Sequence, residues 1–266
     1  MNNSRVEFHG EGNVIFFDKG VNLHSSTIRF IGDNSVVFLS NSGIHKTKIK
    51  LDIYNNSVFY MGKSCNTTRP IHVVLSEEKH IIIGDDCLFS FDVWFRNADP
   101  HLIYDGSTNK RINSSKSVFI GDHVWFGQEA FVSKGTKIGS GAIVGAKCVT
   151  GGKTLASNCS YAGIPCKMIK DNIFWLKQSV HAYTEKETKA SMECNEDTYL
   201  FSEDGKQFCF DIIDEQLDLL NSSEKRLEYL KKTLFENMNK NRFFIQNERT
   251  KKGLFSNYFA NKKEKR

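Results

Sequence analysis

Between Ile120 and Gly151 an aliphatic or aromatic residue returns at every sixth position: Ile120, Phe126, Val132, Ile138 and Val144. A second series follows each of these by four residues, namely Val124, Ala130, Thr136, Ala142 and Cys148. The residue just after each member of the first series is small: Gly121, Gly127, Ser133, Gly139 and Gly145. A helix repeats near 3.6 residues and a strand every two, so neither accounts for a period of six. A coil with a flat face every six residues does. Its bulky residue points into a narrow triangular core and its small residue leaves room at the corner. The pattern predicts an all-β solenoid, a parallel β-helix of hexapeptide repeats.

The same phase runs in eroded form through the first eighty residues. Ile31, Val37, Ile49, Met61 and Val73 keep it, Ile53, Phe59, Cys65 and Ile71 hold the inward fourth position, and Gly43, Asn55 and Thr67 break it. This stretch reads as early coils of one solenoid, with a small separate β-sandwich as the alternative. The phase returns at Ile83, Cys87, Phe89 and Phe95, stops from Arg96 to Val118, and restarts at Ile120. The interruption, NADPHLIYDGSTNKRINSSKS, is polar and turn-rich, and a long loop between regular coils is more often functional than filler.

Beyond residue 170 the coil pattern ends. Ile173, Leu176 and Val180 stand at helical spacing, so residues 171–188 predict a helix capping the solenoid's open end. Residues 189–208 read as a linker with a short hairpin. From Phe210 to Met238 a helix is predicted, with Ile213, Leu220, Leu227 and Leu234 at intervals of seven and Asn221-Ser222-Ser223 dividing it in two. Polar Gln216, Ser223 and Asn237 at the other seam positions favour a helical hairpin on the body over a long coiled coil. The expected organisation is a β-helix over 1–170 with a protruding loop 96–118, a capping helix 171–188, a linker and helical extension 189–248, and a basic aromatic tail 249–266.

Composition excludes several classes. A hydrophobic fraction of 39% with 25% charged residues describes a soluble chain rather than a disordered or membrane-embedded one. No apolar run approaches bilayer length, and the start MNNSRVEFHG lacks the layout of a secretory signal, so a cytoplasmic location is expected. The seven cysteines form no CxxC pair, which argues against a metal finger, and Cys87 and Cys148 fall at inward positions; no disulfide is expected. The net charge of +5 belongs to the tail, where seven basic residues face one acid, Glu264. That tail reads as a solubilising end, a contact with the inner membrane surface, or a hold on an anionic polysaccharide. No nucleic-acid motif accompanies it, so no nucleic acid is expected as partner.

Of eight histidines, His9, His24, His45, His72 and His80 lie in the eroded coils and read as surface or corner residues, and His181 as structural. His123 stands outward beside inward Val124, a secondary candidate for touching a ligand. His101 differs, because it sits in the one long interruption, next to Pro100 and near Asp99. A neutral imidazole held in place removes a proton from a hydroxyl near neutral pH, and a rigid solenoid supplies the holding. No two histidines lie five residues apart, as the zinc sites of gamma-class carbonic anhydrases on this kind of coil require, so no metal is expected.

The segments RNADPHLIYDG, KRIN, VFIGDHVWFG and AGIPCKMIKDNIFW resemble the hexapeptide-repeat O-acetyltransferases, in the branch acting on galactosides, maltose and capsular polysaccharides, polysialic acid included. The resemblance is close over residues 80–180, stylistic over the first eighty, and absent from the C-terminal seventy or so. It implies a left-handed β-helix, a homotrimer, and acetyl-CoA lying between adjacent subunits. His101 falls on the family's general base for direct attack in a ternary complex, and Trp125 on a tryptophan that shapes the catalytic centre. Gln128, Ala146, Gly151, Gly152, Lys167 and Lys170 fall on coenzyme A positions, the lysines as point charges for phosphates. Where the polysialic acid enzymes carry a tyrosine this chain has Gly151, and Asp99 stays outside the implied catalytic set. The expected activity is acetyl-CoA-dependent transfer to a hydroxyl of a capsular or surface polysaccharide. A small sugar or nucleotide-sugar acceptor, or a noncatalytic glycan-binding solenoid, are the alternatives.

Overall fold

The computed structural model describes residues 2–248; the tail 249–266, with the readings attached to it, lies outside the described residues. The chain winds into a triangular prism of three parallel sheets, a left-handed β-helix. The first face stacks Arg5–Phe8, Thr27–Phe30, Ile49–Ile53, Ile71–Leu75, Trp94–Arg96 and Phe131–Val132. The second stacks Val14–Phe17, Val36–Leu39, Val58–Met61, Ile81–Ile83, Val118–Ile120, Lys137–Ile138 and Thr154–Leu155. The third holds Asn66–Thr67, Leu88–Phe89, Trp125–Phe126, Ile143–Val144 and Ser160–Ala162, edged by the antiparallel Lys167–Lys170.

The hexad residues do what their period demands. Ile120, Phe126, Val132, Ile138 and Val144 are fully buried in one core with Val124, Ala130, Ala142 and Cys148. Each large aliphatic or aromatic side chain so buried contributes about 1.5–3 kcal/mol. The N-terminal eighty residues continue this core, so the separate-sandwich alternative falls. Their phase is eroded for a physical reason. Strands of four or five residues on the first two faces turn alternate side chains inward, as Leu51 and Ile53 or Phe59 and Met61 do, and the coil lengthens to 22 or 23 residues.

The predicted capping helix does not form. Residues 171–183 form no helix, and the solenoid takes backbone groups that a helix would use: Ile173 N–H donates to Asn158 O (2.9 Å) and Trp175 O lies 2.9 Å from His123 Nε2. Only α1 (Glu185–Ala190) is helical there, and none of it is buried. The hairpin expected within 189–208 is absent too, that stretch being irregular after α1. The edge of the last coil is covered instead by residues 243–247, where Ser157 N–H donates to Ile245 O (2.9 Å).

The later helix divides where the sequence suggests, into α2 (Phe210–Leu219) and α3 (Ser223–Leu230), with the Ser222 hydroxyl capping α3 through Lys225 N–H (3.3 Å). Phe210, Ile213 and Leu217 of α2 and Leu230 of α3 bury against the outer side of the second face, on Val36, Phe38, Val58, Tyr60, Ile82 and Phe119. Arg242 staples the extension to the coils: its guanidinium, 2% exposed, bonds both Asp122 oxygens (2.8 and 3.0 Å) and pairs with Asp85 (2.9 Å). Among the described residues no helix is long and apolar enough to cross a membrane.

Candidate active site

The long loop leaves the first face after Arg96 and rejoins the second at Val118, so it springs from the corner between them. It is clamped, not loose. Arg111 makes a bidentate pair with Glu77 (2.6 and 2.9 Å), and the Ser115 hydroxyl donates to the same carboxylate. These contacts hold the Glu77 pKa down at about 2. Asn113 ties the two arms together, donating to His101 O (2.7 Å) and accepting from Ile103 N–H (3.0 Å). Lys134, from the next coil, donates to Asp99 (2.6 Å) and to Asn113 O (2.9 Å).

His101 therefore stands at a fixed place while its ring stays exposed and takes no side-chain hydrogen bond among the described residues. Asp99 does not orient it; that carboxylate is occupied by Lys134 and Asn113, which depress its pKa. Beside His101 the loop presents Leu102, Ile103, Tyr104 and Ile112, each about half exposed or more.

The remaining candidates are spread over the third face, the corner beyond it, the edge strand and the loop corner itself. Trp125 is on the third face between Leu88 and Ile143, 38% exposed. Gln128 and Ala146 stack at the corner between the third and first faces: Lys147 N–H donates to Gln128 O (2.7 Å), and Gly127 lies so close to Ala146 N that a Cβ would come within 2.5 Å. Exposed Lys167 and Lys170 sit opposite Ala162 and Ser160 on the antiparallel edge strand. Gly151 and Gly152 are back at the loop corner, where Gly152 N–H donates to Ser133 Oγ (3.1 Å) and the residue lies against Lys134 O. One chain thus gathers two groups rather than one. His101, Gly151 and Gly152 share the corner on one edge of the first face, and Gln128 and Ala146 share the corner on its other edge, with Trp125 beside them.

Two histidines are more deeply buried than their positions in the repeat suggest. His80 is fully buried, with Nδ1 accepting from Val58 N–H (3.2 Å) and Nε2 3.2 Å from Asp218 Oδ1. With Asp214 it forms the only cluster among the described residues whose donors converge as for a metal ion. Its tautomer opposes that use: an Nδ1 that accepts leaves the proton on Nε2, the atom a metal would need. His123, outward as expected, is covered by the strap of residues 171–200 and is 1% exposed. Its partners, Asp86 and Trp175, carry no signature in the sequence beyond His123's place at a coil corner, since they meet across 37 and 52 residues.

No family model matches the chain. It is 33% identical over 181 residues to the polysialic acid O-acetyltransferase of Neisseria meningitidis, spanning 68% of this chain and 83% of that one. It is 42% identical over 137 residues to the polysialic acid O-acetyltransferase of Escherichia coli O1:K1, spanning 50% of this chain and 44% of that one. The crystal structure of the polysialic acid O-acetyltransferase OatWY aligns with a TM-score of 0.59 at 24% identity, over 70% of this chain and 97% of that one, and so shares the fold.

Proposed function

The chain belongs to the hexapeptide-repeat O-acetyltransferases of the polysialic acid O-acetyltransferase kind, and from that premise we propose that it moves acetyl from acetyl-CoA to a hydroxyl of a capsular or surface polysaccharide, with His101 as general base. Names borne by the relatives support a sialic-acid-containing acceptor. The observation that carries the reading is the exposed, unpartnered ring of His101 on a loop clamped by Glu77, Asn113 and Lys134. A ring so held is free to accept the hydroxyl proton as the oxygen attacks the thioester carbonyl; collapse of the tetrahedral adduct expels the coenzyme A thiolate, which takes up a proton.

In this reading Trp125 lines the acceptor side. Backbone groups at Gln128, Ala146, Gly151 and Gly152 hold the pantetheine arm, and Lys167 and Lys170 meet the phosphates. The separation of the two groups across the first face supports a site completed by a second copy, hence a homotrimer. The apolar, exposed Leu102, Ile103 and Tyr104 beside His101 suit docking on that neighbour. The workplace in this reading is the cytoplasm, where acetyl-CoA is available.

The test is complementation. His101→Ala chains and Lys167→Glu/Lys170→Glu chains, each inactive alone, are unfolded together, refolded and assayed with acetyl-CoA and polysialic acid. Recovery of a fraction of wild-type activity is expected, and none would overturn the shared site. Wild-type transfer to a free sugar but to no polymer would overturn the polysaccharide acceptor.

A further inference from the structure

The corner between the second and third faces holds a clasp that the proposed chemistry does not use. His123 Nδ1 lies 2.7 Å from Asp86 Oδ2 and Nε2 lies 2.9 Å from Trp175 O. Trp175 answers with its indole N–H on His123 O (3.1 Å), so each side chain grips the other's backbone. The imidazole is sandwiched, with the Trp175 ring at 3.9 Å and 15° on one face and the Tyr199 ring at 4.0 Å and 13° on the other. Lys177, two residues after Trp175, donates to Asp86 and to Ser64 O (3.1 Å). Both ring nitrogens of His123 thus face acceptors and both ring faces are covered, so the side chain is engaged on every side.

The backbone position adds to this. His123 has φ of 53°, in a corner column with Ser64, Asp86, Gly141 and Asn158, all small or short polar residues in the same left-handed region. The coil needs nothing as large as imidazole there. What the imidazole secures is the strap, and through it Trp175, whose ring centroid lies 5.8 Å from that of Trp125 at 43°. Trp175 is 6% exposed and Trp125 38%, so the clasp backs one side of Trp125 and leaves the other open.

We propose that His123 is a positioning residue for acetyl transfer: by clamping Trp175 it fixes the exposed indole of Trp125 on the third face. This rests on the assignment of Trp125 to the site. His123→Phe keeps the ring stack and removes both side-chain hydrogen bonds, and Trp175→Ala removes the backing ring. For each variant that folds, assayed well below its melting temperature, kcat is expected to fall about tenfold with KM for acetyl-CoA changed less than twofold. The double variant should lose little more than either single one. Wild-type kcat in folded His123→Phe and Trp175→Ala would overturn the proposal.

A second measurement needs no turnover and stands if either variant fails to fold. With Trp94→Phe and Trp175→Phe, Trp125 is the only indole left of three. Adding Asp86→Asn to that background is expected to raise acrylamide quenching of Trp125; unchanged quenching would overturn the clasp. Absence of acetyl transfer by the wild-type protein, with the quenching response present, would instead count against the acetyltransferase reading and leave the clasp standing.

Discussion

The two halves of the solenoid are built to different measures. In the N-terminal coils Arg5 pairs with Thr27 and Thr27 with Lys50, spacings of 22 and 23 residues; in the C-terminal coils Ile120 pairs with Ile138 and Ile138 with Leu155, spacings of 18 and 17. The wide coils carry long strands whose outer side on the second face is apolar, and that side receives α2 and α3. The tight coils reduce most strands to two residues and spend the rest on corners. Corners expose backbone donors and acceptors at a fixed rise, so the tight half suits a long, extended cofactor and the wide half suits a scaffold. The candidate site belongs to the tight half and to the loop where one measure gives way to the other.

The largest effect that would test this division is at the loop. His101→Ala should lower kcat by about 10²–10⁴-fold in a steady-state acetyl-transfer assay, with little change in thermal stability, since the exposed ring makes no hydrogen bond among the described residues. Retained kcat would move the chemistry elsewhere.

Next comes the staple between the extension and the coils. Arg242→Ala leaves Asp122, 8% exposed, without its cation and should cost about 3–5 kcal/mol in denaturant unfolding. An early, separate transition of the extension would show that the coils stand without it.

A corner comparison is smaller and more direct. Gly127→Ala drives a Cβ to 2.5 Å from Ala146 N in a tight corner, whose backbone must shift at a cost of about 1–3 kcal/mol, and KM for acetyl-CoA should rise with it. Gly43→Ala, in a wide corner, meets only the Ser64 hydroxyl at 3.1 Å; with φ of 61° it should cost about 1 kcal/mol and leave KM alone. Equal effects on KM would erase the distinction.

The smallest effect concerns pH. Glu77 has its pKa lowered from 4.5 to about 2 by Arg111 and Ser115, so its clamp on the loop is fully present above 4.5 and is lost as pH falls through about 2. Proteolytic nicking of 97–117 by an acid protease should therefore increase from pH 4 towards pH 2. Glu77→Gln should show the faster nicking already at pH 4. Because this pair is partly exposed, global stability should change little.

Much of this was legible in the chain itself. The hexad period states the coil, because a side chain entering a narrow prism must recur with the face, and the place where the period stops marks the loop and His101. The eroded half was harder to read. Longer strands hide a 22-residue repeat behind alternation, so Ile31, in phase by sixes, lies only half-buried while its neighbour Phe30 enters the core. Ile173, Leu176 and Val180 have helical spacing, yet their segment lies as a strap, because Asn158 O takes the Ile173 N–H and His123 the Trp175 carbonyl, which nothing local reveals.

The sequence by itself determined the β-helix, the break in it and the family, since periodicity and motif are properties of adjacent positions. Only the tertiary structure decided that His101 and Gly152 share one edge of the first face while Gln128 and Ala146 share the other, that Asp99 serves Lys134 rather than His101, and that His123 is enclosed by Asp86, Trp175 and Tyr199. Those are contacts between coils and between coil and strap, set by how many residues each turn consumes before the chain returns to the same corner.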